Sequence, residues 1–237
     1  MKAVIGLDAG HGGSSSGTYS VNTVYDGLFE KDFALDLALM VEEKLIKNGF
    51  GVIMTRREDK NPGTVAERAA KMVREKADFA LSIHFNGFGN ESANGTEVFV
   101  PYGEIAAGIE ARLYDGLGVF FKRRAPFARS SSYYDKNRIF DKKLNIKTRK
   151  FDAVSSEKDY FGFVRNCWTG GVSADLLEIC FLTNKKDFEN YIKNREKIAD
   201  MIAKSIVEAF GEAYIFEAEE KIPKIVPRIK RKFDVIN

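Results

Sequence analysis

The sequence predicts an α/β fold, with helices on both faces of a largely parallel sheet. Two kinds of segment carry this expectation. Short apolar runs closed by glycine or polar residues read as strands buried on both sides, and the segments between them place apolar residues at helical spacing. The two alternate along the chain, as strands joined by crossover helices do.

In order, residues 3–9 form the first buried strand, followed by a Gly- and Ser-rich loop. Phe33, Leu37, Val41 and Leu45 then recur at i+4, with Asp36, Glu42, Glu43 and Lys47 between them and Gly49 as a stop. "GVIMT" (51–55) is a second strand, and "TVAE" (64–67) is a capping box opening a helix with Val65, Ala69, Met72 and Val73 on one side. "DFALSIHFN" (78–86) is a third strand, and "GTEVFVP" (95–101) alternates until Pro101. Ile105, Ile109, Leu113 and Leu117 mark another helix. "SADLLEICFL" (173–182) is the next buried strand, and a long helix from Asn184 carries Phe188, Ile192, Ala199, Ile202 and Ile206 before Gly211.

Two stretches break the alternation. Residues 122–150 hold 11 basic and 2 acidic residues without a clear period, and 122–160 reads as a long basic loop or insertion. Residues 212–237 turn to short charged runs with Pro223 and Pro227, a tail or linker, which leaves 1–211 as one domain.

Composition narrows the function classes. A net charge of +3 is too small to imply nucleic acid, although a pI near 8.7 suits a polyanionic partner. No run reaches the roughly 20 apolar residues that cross a bilayer, and "MKAVIGLDAG" lacks the flanks of a secretory signal, so synthesis in the cytoplasm is expected. Cys167 and Cys180 form neither a disulfide framework nor a zinc knuckle, and are expected as reduced, buried thiols. A monomer is expected.

The chain has two histidines, and both fall at strand ends: His11 just past the first strand and His84 near the end of the third. The carboxyl ends of parallel strands are where ligands bind. Either histidine alone would also suit a hydrogen-bonded structural role; together they point to one shared metal ion. A catalytic zinc site needs a third protein ligand, and Glu30, which opens the next helix, stands at the same edge; it would equally complement that helix's dipole. Glu178, inside "DLLEICFL", is expensive to bury unless paired, hydrogen-bonded or functional. It is the candidate general base, unless it points to solvent at the strand end.

"DAGHGG" after the first strand, the acid of "FEKDFAL", "SIHFN" and "LLEICFLTN", in this order over about residues 3–210, resemble the zinc-dependent N-acetylmuramoyl-L-alanine amidases of type 3. The resemblance implies a single α/β domain with a mixed sheet of about six strands. It also implies hydrolysis of the amide between N-acetylmuramic acid and L-alanine in peptidoglycan, one zinc ion on His11, Glu30 and His84, and Glu178 as acid/base. Asn86, ending "SIHFN", and Arg165 in "FVR" are candidate substrate contacts. Ser15, Ala34 and Cys180 depart from the family pattern, where aspartate, asparagine and glycine are usual, and Gly17 agrees with it. Such a protein would act at the wall after release or export, as a phage endolysin or bacterial autolysin. The alternatives are a zinc peptidase of carboxypeptidase-like type and a non-catalytic wall-binding module, in which the 122–150 stretch, with Tyr133 and Tyr134, would hold anionic wall polymers.

Overall fold

A computed structural model describes residues 2–20, 27–100, 109–124, 139–140, 146–147 and 161–216. Five strands make the main sheet: β1 (Val4–Ala9), β2 (Gly51–Met54), β3 (Phe79–Asn86), β4 (Glu97–Phe99) and, later in the chain, β7 (Ala174–Phe181), in the order β2-β1-β3-β7-β4. All neighbours run parallel except β4, which closes the edge antiparallel to β7. The expected class is therefore observed, with five strands in the sheet where about six were expected. Two further short strands, β5 (Ile139–Phe140) and β6 (Ile146–Lys147), pair with each other outside this sheet.

Helices α1 (Glu30–Lys47), α3 (Ile109–Leu117) and α5 (Lys185–Ala209) cover one face, and α2 (Val65–Arg74) and α4 (Gly162–Thr169) the other. The i+4 row of α1 is wholly buried at Phe33, Leu37, Val41 and Leu45, against Ile198, Ile202 and Ile206 of α5. Burying such side chains contributes about 1.5–3 kcal/mol each before entropic costs. Phe33 also meets Phe85, Phe188 and Tyr191, with ring centroids 5.5–6.1 Å apart, which ties the first turn of α1 to the end of β3.

The capping box of α2 forms as expected: Glu67 N–H donates to Thr64 Oγ1 at 3.2 Å and Thr64 N–H to Glu67 Oε2 at 2.7 Å. Ala69 and Met72 face the core, whereas Val65 is 40% exposed because α2 starts at the rim of a cavity. Helix α4 had no counterpart among the elements read from the sequence. It is only eight residues long, but it buries Phe163, Val164 and Cys167.

Most of 122–160 and of 212–237 lies outside the described residues, as do Tyr133, Tyr134 and Ile105. Residues 212–216 are tied to the domain: Glu212 pairs with Lys2 at 2.7 Å, Tyr214 Oη donates to Asp200 at 2.8 Å and Ile215 N–H to Asn48 Oδ1 at 2.8 Å. Both cysteines are free and buried; burial pushes the Cys167 thiol up to about 12. Among the described residues no helix is long and apolar enough to cross a membrane.

Candidate active site

The carboxyl ends of β1 and β3 lie side by side, in register from Ile5↔Phe79 to Ala9↔Ile83. Gly10 N–H continues the ladder to Ile83 O at 3.0 Å, and the chain then turns sharply, with His11 in the left-handed region at φ 58°. Left-handed backbone is costly outside glycine, and here it aims the imidazole across the sheet edge. Glu30 is the first residue of α1, so it meets both histidines: His84 Nδ1 lies 2.8 Å from its Oε1 and His11 Nε2 3.3 Å from its Oε2. The three expected ligands are thus together, with one donor atom from each within 4.8 Å of the others.

His11 and Glu30 are oriented by further contacts. Ser15 Oγ lies 2.9 Å from His11 Nδ1, leaving Nε2 to face the site. Thr18 and Phe85 N–H groups donate to Glu30 Oε2 and Oε1 at 2.9 and 3.1 Å. Burial pushes the Glu30 carboxyl up, but its bonds to the two imidazoles outweigh this and hold it well below the usual carboxylate range. Gly10 and Gly17 make the close approach possible. A Cβ at Gly10 would sit 2.5 Å from His84 Cε1, and one at Gly17 2.4 Å from Glu30 Oε2, with a φ of +68° besides. Two imidazoles and one carboxylate, with His11 and Glu30 each held by a further bond, suit a single zinc ion.

Glu178 faces the same edge. It is level with His84 in the β3–β7 register and with Glu97 in the β4–β7 register. Its Oε2 is shielded and has no hydrogen-bond partner. Burial, then the charges of Glu30 and Glu97, push its carboxyl well above the usual range. That is the environment of a group that takes up and holds a proton; the residue as a whole is half-buried, with its Oε2 turned away from solvent.

His11, His84 and Glu178 line a cavity of about 340 Å³ whose walls include Asn61, Thr64, Arg68, Phe161 and Leu176. A second cavity, of about 480 Å³, opens on the other side of Glu178 between Asn86, Phe88, Glu97, Phe99, Arg124 and Phe181. Asn86, an expected substrate contact, lines this second cavity and donates to Glu97 Oε2 at 2.6 Å. Arg165 is on α4 and is not among the described residues lining either cavity, although its Nη2 would stand 3.4 Å from a Cβ at Gly162, which lines the first. Of the positions that depart from the family pattern, Ala34 and Cys180 are fully buried in the core and only Ser15 touches a ligand.

The sequence reading missed the supports beneath the site. Asp8 is fully buried in β1, where Arg68 Nη1 donates to both its oxygens at 2.5–2.6 Å and Ser82 Oγ donates at 2.7 Å. Burial raises the Asp8 carboxyl, but Arg68, His84 and Ser82 together hold it below the ordinary range. Arg56 donates to the carbonyls of Ala9, Gly10 and Lys31 at 2.7–3.0 Å, fastening the turn that carries His11 to the start of α1. An aspartate within an apolar run was the available signal for the first; nothing local marked the arginines.

Comparison with known proteins agrees with this geometry. A 93-residue stretch is 42% identical to the uncharacterized protein YqiI of Bacillus subtilis, covering 39% of this chain and 42% of that protein. A 99-residue stretch is 38% identical to the N-acetylmuramoyl-L-alanine amidase AmiC of Neisseria meningitidis, covering 42% and 23%. The matches thus span less than half the length of these relatives. Among solved structures, Cwp6 from Clostridium difficile superposes with a TM-score of 0.68 at 27% identity, over 88% of this chain and 29% of that one. The catalytic domain of CwlV, an N-acetylmuramoyl-L-alanine amidase from Bacillus (Paenibacillus) polymyxa var. colistinus, has the same fold, with a TM-score of 0.65 at 24% identity over 89% and 99%. The model of the Amidase_3 family, described as N-acetylmuramoyl-L-alanine amidase, matches residues 5–209. With its fold, its clustered histidines and acids and this match along nearly all of the domain, the chain belongs to the Amidase_3 family of N-acetylmuramoyl-L-alanine amidases.

Proposed function

We propose that the protein hydrolyses the amide joining the lactyl group of N-acetylmuramic acid to L-alanine in peptidoglycan. His11, Glu30 and His84 hold one zinc ion, and Glu178 is the catalytic acid/base. The observation that carries the reading is the unpartnered, shielded Glu178 oxygen on the same cavity as the His–Glu–His group. A zinc ion supplies Lewis acidity to this site when bound. Glu178 takes a proton from the attacking water as its oxygen bonds to the carbonyl carbon. The same carboxyl returns that proton to the alanine nitrogen as the carbon–nitrogen bond breaks. Ser15, Thr18 and Phe85 keep the ligand atoms aimed so that little reorganisation accompanies the reaction.

Peptidoglycan lies outside the membrane, so the protein meets it at the wall after release or export, in the manner of an endolysin or autolysin. Residues 1–211 form the catalytic domain, 212–237 are a charged tail or linker whose first residues, 212–216, pack on that domain, and the basic 122–150 stretch supplies electrostatic attraction for anionic wall polymers.

Digestion of purified sacculi, with metal analysis of the same protein, tests the reading. Wild type should release intact stem peptides from intact glycan strands, and chelation should stop it. Glu178→Gln should retain zinc while losing about 10²–10⁴-fold in rate. Cleavage within the stem peptide would instead indicate a peptidase, and binding without hydrolysis a wall-binding module.

A further inference from the structure

The two cavities meet at Glu178 and differ in what else they contain. His11 and His84 line the first and not the second. In the proposed reaction the scissile carbonyl lies at the His–Glu–His group and the amide nitrogen at the carboxyl that protonates it. Whatever is attached to that nitrogen must therefore continue past Glu178, away from the histidines, and the second cavity is the space available there.

Among its described lining that cavity holds one cation, Arg124, beside the carboxyl groups of Glu97 and Glu178. Arg124 is engaged through Nε, which donates to Glu97 Oε1 at 2.7 Å, and its guanidinium lies 5.1 Å from the centroid of the Phe181 ring. The ring and the Glu97 bond fix the plane of the fork while its side chain stays 40% exposed. A guanidinium held this way can offer two parallel N–H donors to a carboxylate. The glycan side of the substrate is neutral around the scissile bond, whereas in the leaving peptide L-alanine is followed by a γ-linked D-glutamyl residue whose α-carboxyl is either free or amidated.

We propose that the cavity bounded by Asn86, Phe88, Phe99, Arg124 and Phe181 receives the leaving peptide, and that Arg124 reads a free carboxylate on its second residue. The inference rests on the amidase reading. It makes Arg124 a determinant of which peptidoglycan is cut: chains with a free carboxylate there are preferred to amidated ones.

Calorimetric titration with L-alanyl-γ-D-glutamyl-L-lysine and its α-carboxamide tests this apart from turnover. Wild type should bind the acid about tenfold or more tightly than the amide. Arg124→Gln should bind both alike, and Arg124→Lys should keep part of the preference. Because Arg124→Gln strands Glu97, the double variant Glu97→Gln/Arg124→Gln is measured too and should also show no preference. On muramoyl-peptide substrates Arg124→Gln should raise KM for the acid form more than it lowers kcat. If wild type hydrolyses the amide but shows no preference, or Arg124→Gln retains it, the subsite is overturned and the amidase reading stands. If Arg68→Gln loses the preference and Arg124→Gln does not, the carboxylate belongs in the first cavity and the proposal fails. If wild type does not hydrolyse the muramoyl–alanine amide, the functional reading falls and the subsite with it.

Discussion

Gly10 bears most directly on the metal site, because the ring of His84 lies where its side chain would be. A Cβ there would stand 2.5 Å from Cε1, 2.6 Å from Nδ1 and 2.7 Å from Nε2 of His84, when ordinary contact begins at 3.4 Å. The ring must therefore retreat by about 0.9 Å, and Nδ1 is the atom that meets Glu30 Oε1 at 2.8 Å. The backbone cannot easily yield instead, because Gly10 N–H is bonded to Ile83 O and Gly10 O accepts from Arg56. Gly10→Ala should cost about 1–3 kcal/mol of stability through overpacking. Displacing one ligand while leaving its chemistry intact should weaken zinc about ten- to hundredfold, as loss of a ligand's supporting contact does. Competition with a chromophoric chelator measures the affinity, and urea denaturation the stability. Gly89→Ala is the control, since a Cβ there meets nothing within 4 Å. Wild-type zinc affinity in Gly10→Ala would refute the ligand role of His84 or the packing that positions it.

Two further outcomes follow from individual contacts. Ser15→Ala removes the partner of His11 Nδ1 and should lower zinc affinity about tenfold, while Ser15→Asp should restore it; equal affinity in all three proteins by the same competition would exclude an orienting role for the hydroxyl. Burial raises Asp36 from the ordinary 3.8 to about 6, against the nearby Arg195. A raised folded value means that stability is fully present below about pH 4 and is lost as pH rises through about 6. The loss reaches about 3 kcal/mol by neutral pH, so Asp36→Asn should exceed wild type by up to that amount at pH 7.5 and match it at pH 4; urea midpoints parallel at both pH values would contradict it.

Sequence patterning and structure agree most closely where a single period decides the outcome. The i+4 row of α1 and the capping box at Thr64 are local, and both formed as read. Helix α4 escaped because eight residues with three buried positions carry little periodic signal. All five strands read from the sequence entered the main sheet, and the antiparallel pairing of β4 with β7 is a choice between partners that no local pattern encodes. At the site, His11, His84 and Glu178 were legible because polar groups in or at the ends of apolar strands are costly without a purpose, and Glu30 because it opens the helix at the same edge. Asn86 came to line the second cavity, while Arg165 is not among the residues lining either.

The order of the five sheet strands and of α1, α2, α3 and α5, and the placing of His11, His84, Glu30 and Glu178 along them, were determined by the sequence alone. Apolar period and chain connectivity are properties of neighbouring residues. Tertiary structure decided that these four groups share one edge, that Arg68 neutralises Asp8 beneath them, and that a second cavity opens beyond Glu178 against Arg124. Those facts depend on register between residues far apart in the chain, 94 positions for His84 and Glu178, and on the packing of helices from opposite faces. Distances of this kind are set only when the whole core closes.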